Sequence, residues 1–162
     1  EFAARVYFRD LEEESVEIDG IGVQTKLLSH PGKCLGYRIN YNGRSICYIT
    51  DNEMFKETSE FYFPHYEKKL ADSCRDADAL ITDTTYTDEE YETKVGWGHS
   101  CISKVVQLAD VADVKTLYLF HHDPDQSDAD IDNKHELAAK MLMERDSSVK
   151  LETPKEGDLF KI

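Results

Sequence analysis

A chain of 162 residues with 40% hydrophobic content can bury one sizeable core but is too short for two ordinary domains. Its formal charge of −14 disfavours bulk nucleic-acid binding, because little positive surface is available to displace counterions from a phosphate backbone. No apolar run approaches the roughly 18 residues of a membrane span, and the first residues lack the basic-then-apolar order of a secretory leader, so the reading is a soluble cytoplasmic protein without membrane contact.

Taken in order, Arg5-Val6-Tyr7-Phe8, Val16-Glu17-Ile18 and Val23–Leu28 alternate and read as short strands, with Gly20 and Gly22 as breakers. Leu35–Tyr41 and Ser45–Ile49 flank Asn42-Gly43, which supplies the turn of a hairpin. Tyr66–Arg75 has helical spacing, and Ala79-Leu80-Ile81 is an apolar strand ending in Thr82-Asp83. Ser100 can cap a helix through Ala109, whose apolar side is Ile102, Val105, Val106 and Leu108. Thr116–Phe120 is a further strand ending in His121-His122-Asp123-Pro124, and a helix starts at Asp128 or Asp130 and runs to about Glu144. Val149-Lys150-Leu151 and Leu159-Phe160 suggest one or two closing edge strands. Buried strands alternating with helices give an α/β class with helices packed on a sheet.

Acidic residues gather in Asp10–Glu14, Asp88–Glu92 and Asp123–Asp132, as solvated surface or as a means of concentrating divalent cations. Cys34, Cys47, Cys74 and Cys101 form no Cys-x-x-Cys pair and read as buried free thiols in a reducing compartment.

His30, Asp51 and His121 share one context, a titratable side chain just past a strand end, where α/β folds collect ligands and metals. Imidazole nitrogen and carboxylate oxygen together suit zinc, manganese or iron, and a carboxylate can bridge two cations. A histidine at a strand end, taken singly, is more often a surface or hydrogen-bonded residue than a ligand, so spacing alone leaves the function open.

Four ordered runs change that weighting. Leu28-Ser29-His30-Pro31-Gly32-Lys33-Cys34-Leu35-Gly36-Tyr37-Arg38-Ile39 resembles the third-histidine motif of the metallo-β-lactamase superfamily. Tyr48-Ile49-Thr50-Asp51 is similar to the strand ending in that family's metal-bridging aspartate. Ala79–Tyr86 followed by Gly96-Trp97-Gly98-His99-Ser100 resembles the acidic strand and Gly-His-Ser loop of its phosphodiesterase and tRNA 3′-processing branches. Leu117–Pro124 looks like the strand carrying the last metal-binding histidine.

The resemblance implies that His30 binds a first metal, Asp51 bridges, and His121, or in its place His122, binds a second, with two divalent ions, zinc before manganese or iron, in the complete site. It places His99 near the leaving group as a proton donor or relay, although a hydrogen bond closing its loop is an equal reading. Asp83 either orients a ligand or caps the next turn, and Trp97 either lines the pocket or packs. His65 and His135 match no motif and read as ordinary surface or helix residues. The fold implied is the C-terminal half of a metallo-β-lactamase αβ/βα sandwich, a mixed sheet with helices on one face.

The family's His-x-His-x-Asp-His run, which supplies four ligands from the first half of the fold, is not in this sequence. The expectation is therefore a partner carrying that half, on the same or a separate polypeptide, with homo-oligomerisation through the uncovered sheet as the alternative. Function is expected to be phosphodiester hydrolysis by a metal-bridging hydroxide on a small-molecule or phosphodiester substrate, catalysed only once the missing half completes the site. The alternatives are ester, thioester or lactam hydrolysis on the same fold, or a non-catalytic interaction or sensory domain.

Overall fold

The alternating runs build one sheet in the computed structural model, which describes residues 5–162. Strands β1 (Ser15–Ile18), β2 (Ile21–Leu27), β3 (Leu35–Tyr41) and β4 (Arg44–Ile49) form an antiparallel meander. Asn42-Gly43, at φ 48° and 73°, joins β3 to β4, since two left-handed residues match the twist of the flanking strands. Asp19-Gly20 does the same between β1 and β2, whereas Gly22 lies inside β2, opposite Asn40, and breaks nothing.

From β4 onward the sheet is parallel, through β5 (Ala79–Asp83), β6 (Thr116–Phe120) and β7 (Lys150–Glu152), and the seven strands lie side by side in chain order. The crossovers are helical: α1 (Pro64–Cys74), the short α2 (Asp88–Tyr91), α3 (Ile102–Val111) and α4 (Asp128–Glu144). Helix α1 begins two residues before its apolar spacing because Pro64, with no N–H to leave unpaired, suits the first turn. A capping box between Ser127 and Asp130 starts α4.

One sheet face is covered. Leu28, Cys47, Ile49, Leu80, Leu117 and Leu119 form a single core with Leu70 and Cys74 of α1, Val105 and Ala109 of α3, and Ala138 and Leu142 of α4. On the opposite face the register aligns Tyr37, Tyr48, Ile81 and Tyr118 across four strands. Tyr48 and Phe120 stay exposed there, with ring centroids 6.0 Å apart. Among the described residues no helix is long and apolar enough to cross a membrane.

Three expectations need correction. Arg5–Phe8 is no strand: β1 already occupies the edge beyond β2, and Val6, Tyr7 and Phe8 are exposed with nothing to pair against. Leu159-Phe160 is no strand either; the sheet ends at β7, and Phe160 instead sets its ring edge-on to Tyr118 at 5.1 Å. Ser100 does not cap α3, whose N-cap is Cys101, because its hydroxyl accepts from Met54 N at 3.1 Å and donates to Asn52 O at 2.5 Å.

Candidate metal centre

Strand direction brings the candidate residues together. Because β2 and β4 are each antiparallel to β3, they run the same way, and β5 and β6 are parallel to β4. The C-terminal ends of β2, β4, β5 and β6 therefore share one rim, and His30, Asp51, Asp83 and His121 follow or close those strands. Asp51 and His121 both adopt left-handed backbone, φ 50° and 56°, which turns the chain sharply at the strand end. Such backbone is uncommon away from glycine and recurs at functional sites.

His121 Nε2 lies 3.3 Å from Asp51 Oδ1. Donor atoms of His30, Asp51 and His99 fall within 4.8 Å of one another, as do those of Asp83, His99 and His121. His99 is common to both groups, stacking on His121 with centroids 5.0 Å apart and meeting His30 edge-on at 5.6 Å. The rim is therefore a mixed nitrogen and oxygen donor set of the kind that suits zinc, manganese or iron, and the residues present fit divalent cations.

Asp83 organises the donors rather than competing with them. Fully buried, it accepts from Asn52 N at 3.1 Å and His99 Nδ1 at 2.7 Å on one oxygen, and from Thr85 N at 3.0 Å and Thr85 Oγ1 at 2.7 Å on the other. An ionised carboxylate only accepts, so the His99 proton sits on Nδ1 and Nε2 is the atom left for ligand or substrate. The same carboxylate raises the His99 pKa above its ordinary value, against the opposing effect of burial. Thr85 Oγ1 sits between Asp83 Oδ1 at 2.7 Å, His121 O at 2.8 Å and His121 Nδ1 at 3.2 Å, which leaves His121 Nε2 facing Asp51. One buried carboxylate thus orients two imidazoles, as carboxylates do beneath metal-binding histidines. Asp83 both orients these rings and closes the Thr85 turn, so its two readings hold together.

His30 is held by its own turn and by Gly98. Gly32 N donates to His30 Nδ1 at 3.2 Å, a bond that cation binding through Nε2 would exchange for a proton on Nδ1. Gly98, at φ +93°, leaves the ring space that a side chain would take: a Cβ there would stand 2.4 Å from His30 Cδ2. That loop is fixed from below by Glu53, 2% exposed, whose carboxylate accepts from Tyr91 Oη at 2.7 Å, Gly96 N at 2.7 Å and Gly98 N at 2.8 Å.

His122 turns away from the donors. Both of its ring nitrogens are buried without a partner, and burial pushes its pKa down to about 4. His65 packs edge-on to Phe63 and His135 bonds Thr153 at 2.9 Å, and neither joins the donor groups. Trp97 does not pack into the fold: it is 57% exposed. Sequence reasoning passed over Asn52, Glu53 and Thr85. Their only signal was position, beside Asp51 and Asp83, and nothing in polar residues near a strand end announces burial.

Residues 9–122 match the family model described as the β-lactamase superfamily domain. A ribonuclease Z from Thermoplasma volcanium is 34% identical over 116 residues, covering 67% of this chain and 34% of that protein. The metallo-β-lactamase fold protein YhfI from Bacillus subtilis superposes with a TM-score of 0.70 at 16% identity, over 90% of this chain and 52% of that one. Human tRNase Z, short form, gives a TM-score of 0.54 at 19% identity, over 86% and 44%. The chain thus spans about a third of that ribonuclease Z and about half of the two solved relatives.

Proposed function

The chain belongs to the β-lactamase superfamily domain family, and we propose that its rim is the C-terminal share of a metal-dependent phosphodiesterase. The observation that carries this reading is the convergence at one edge of the sheet of His30, Asp51 and His99, with donor atoms within 4.8 Å of one another, and of His121, whose Nε2 lies 3.3 Å from Asp51. Two divalent ions bound there, zinc first among them, would acidify a water near neutral pH and draw negative charge off the non-bridging phosphoryl oxygens. His30 is assigned to one ion and His121 to the other, with Asp51 between them. The 3.3 Å approach of Asp51 to His121 supports that sharing. His99 Nε2, with its ring held by Asp83, delivers a proton to the leaving oxygen, and the raised pKa keeps a larger protonated fraction near neutrality.

The donors present are fewer than two ions require, so the reading includes a partner half bearing the His-x-His-x-Asp-His run, in the same or another polypeptide, seated on the aromatic sheet face. That face, with Tyr48 and Phe120 exposed, supports the arrangement. A protein with this rim acts inside the cell on a small or phosphodiester substrate rather than on long nucleic acid, given the charge of −14.

The test is Asp51→Asn in the assembled protein, a change that suits the left-handed backbone at this position. Turnover of bis(p-nitrophenyl) phosphate should fall by at least about a hundredfold, with loss of bound metal. Unchanged turnover at unchanged metal content overturns the assignment.

A further inference from the structure

Lys134 is a cation shut away from water. It lies on the buried face of α4 with Ala138 and Leu142, and it is 0% exposed. Among the described residues its ammonium bonds carbonyls rather than carboxylates, donating to Thr84 O at 2.8 Å and to Thr85 O at 3.2 Å. Burial brings its pKa down to about 8, although Glu90, Asp83, Asp123 and Asp130 favour its charge through space. Taking an ammonium out of water is costly, and a methionine would fill similar room without that cost. What the lysine secures is the segment it bonds, which is wrapped around the end of β6. Thr84 N and Thr84 Oγ1 both donate to Phe120 O, at 2.9 and 2.8 Å. Thr85 Oγ1 lies 2.8 Å from His121 O and 3.2 Å from His121 Nδ1. The two threonines thus bracket His121, whose backbone is left-handed at φ 56° and whose Nε2 faces Asp51. Without the lysine, Thr85 O would keep only the Gln126 amide, at 3.1 Å, and Thr84 O would lose its donor, an expensive change for a buried carbonyl.

We propose that Lys134 is a positioning residue for the metal centre: its buried ammonium fixes the Thr84 and Thr85 carbonyls, 50 and 49 residues away in the chain, and so keeps His121 Nε2 aimed at the ion shared with Asp51. The inference rests on the reading of His121 as a metal ligand. It adds a residue of α4, outside both donor groups, to the machinery of the rim. A ligand imidazole is only as well placed as the groups that hold it, and here they are held in turn by one cation.

The test compares the full chain with Lys134→Met and, as a control for lost packing on the same helix, with Leu142→Ala. Zinc affinity is measured in competition with a chromophoric chelator, and the imidazole nitrogen resonances are recorded without metal. Lys134→Met should bind zinc about ten- to a hundredfold more weakly, with the His121 resonances displaced and those of His30 in place. Leu142→Ala, destabilised by its lost core contacts, should hold zinc within about twofold of the parent. Parental zinc affinity in Lys134→Met, or an equal loss in Leu142→Ala, overturns the proposal, the latter by assigning the effect to stability alone. If Lys134→Met does not fold, the parent decides: zinc should shift the Lys134 Nζ resonance, and a resonance indifferent to zinc overturns the proposal. A parent that takes up no zinc sinks the metal reading instead; displaced His121 resonances in Lys134→Met would then still uphold the hold on the ring, and unmoved ones would overturn it.

Discussion

Substituting Gly98 by alanine separates the metal rim from the rest of the fold. A Cβ at Gly98 would lie 2.4 Å from His30 Cδ2, 2.7 Å from Pro31 Cδ and 2.9 Å from His30 Nε2. Non-bonded carbons settle near 3.5 Å, so the imidazole must retreat by roughly 1 Å. The left-handed φ of 93° adds strain of about 1–3 kcal/mol for any residue with a Cβ. Gly96 supplies the control: its φ is 86°, but a Cβ there would meet nothing within 4 Å. Both Gly96→Ala and Gly98→Ala should therefore lose about 1–3 kcal/mol in urea denaturation. Only Gly98→Ala should also lose zinc affinity, by about ten- to a hundredfold in competition with a chromophoric chelator, as when the support of a metal-binding histidine is removed. Equal zinc affinity in the two variants would refute the claim that Gly98 seats His30 for a cation.

Glu53→Gln presents an amide N–H₂ where three donors converge, and should cost about 1.5–3 kcal/mol of stability and speed hydrogen exchange at the Gly96 and Gly98 amides; unchanged exchange would show that the loop is held otherwise. Asp78 accepts from Lys115 Nζ at 2.8 Å, Ser45 N at 2.8 Å and Arg44 Nη1 at 2.9 Å, which holds its carboxyl well below the usual range. Because the folded-state pKa is depressed, its stabilisation is complete above the unfolded value of about 3.9 and is lost as pH falls below it. Asp78→Asn should accordingly be less stable than the parent at neutral pH, with the gap between the two urea midpoints narrowing progressively as pH falls below about 4; a constant gap would contradict the ion pairs. The chain on its own, with Tyr48 and Phe120 uncovered, should dimerise or aggregate, and a clean monomer by light scattering at high concentration would show that its open face needs no cover.

The rim was legible where the sequence changes character abruptly. Apolar alternation that stops at His30, Asp51 or His121 marks a strand end carrying a titratable group, and the structure brings all three to one edge. Alternation reports propensity but not partners, which is why Arg5–Phe8 reads as a strand and forms none. Serine before an apolar run is a good cap by type, yet the hydroxyl of Ser100 is taken by Asn52 and Met54, which stand some fifty residues earlier in the chain. Glu53 was illegible for the same reason: an acid next to an aspartate reads as surface charge, and only the approach of the Gly96–Gly98 loop makes it a buried acceptor. His121 and His122 are separable only by the turn at φ 56°, which aims one ring at Asp51 and buries the other.

Zinc-edge anomalous scattering from crystals grown with the metal asks the central question most directly. A peak about 2.0–2.2 Å from an imidazole nitrogen of His30 or His121 and from a carboxylate oxygen of Asp51 is the expected result. Ions found only elsewhere, among the acidic residues 123–132 for example, with this edge of the sheet bare, would contradict the account.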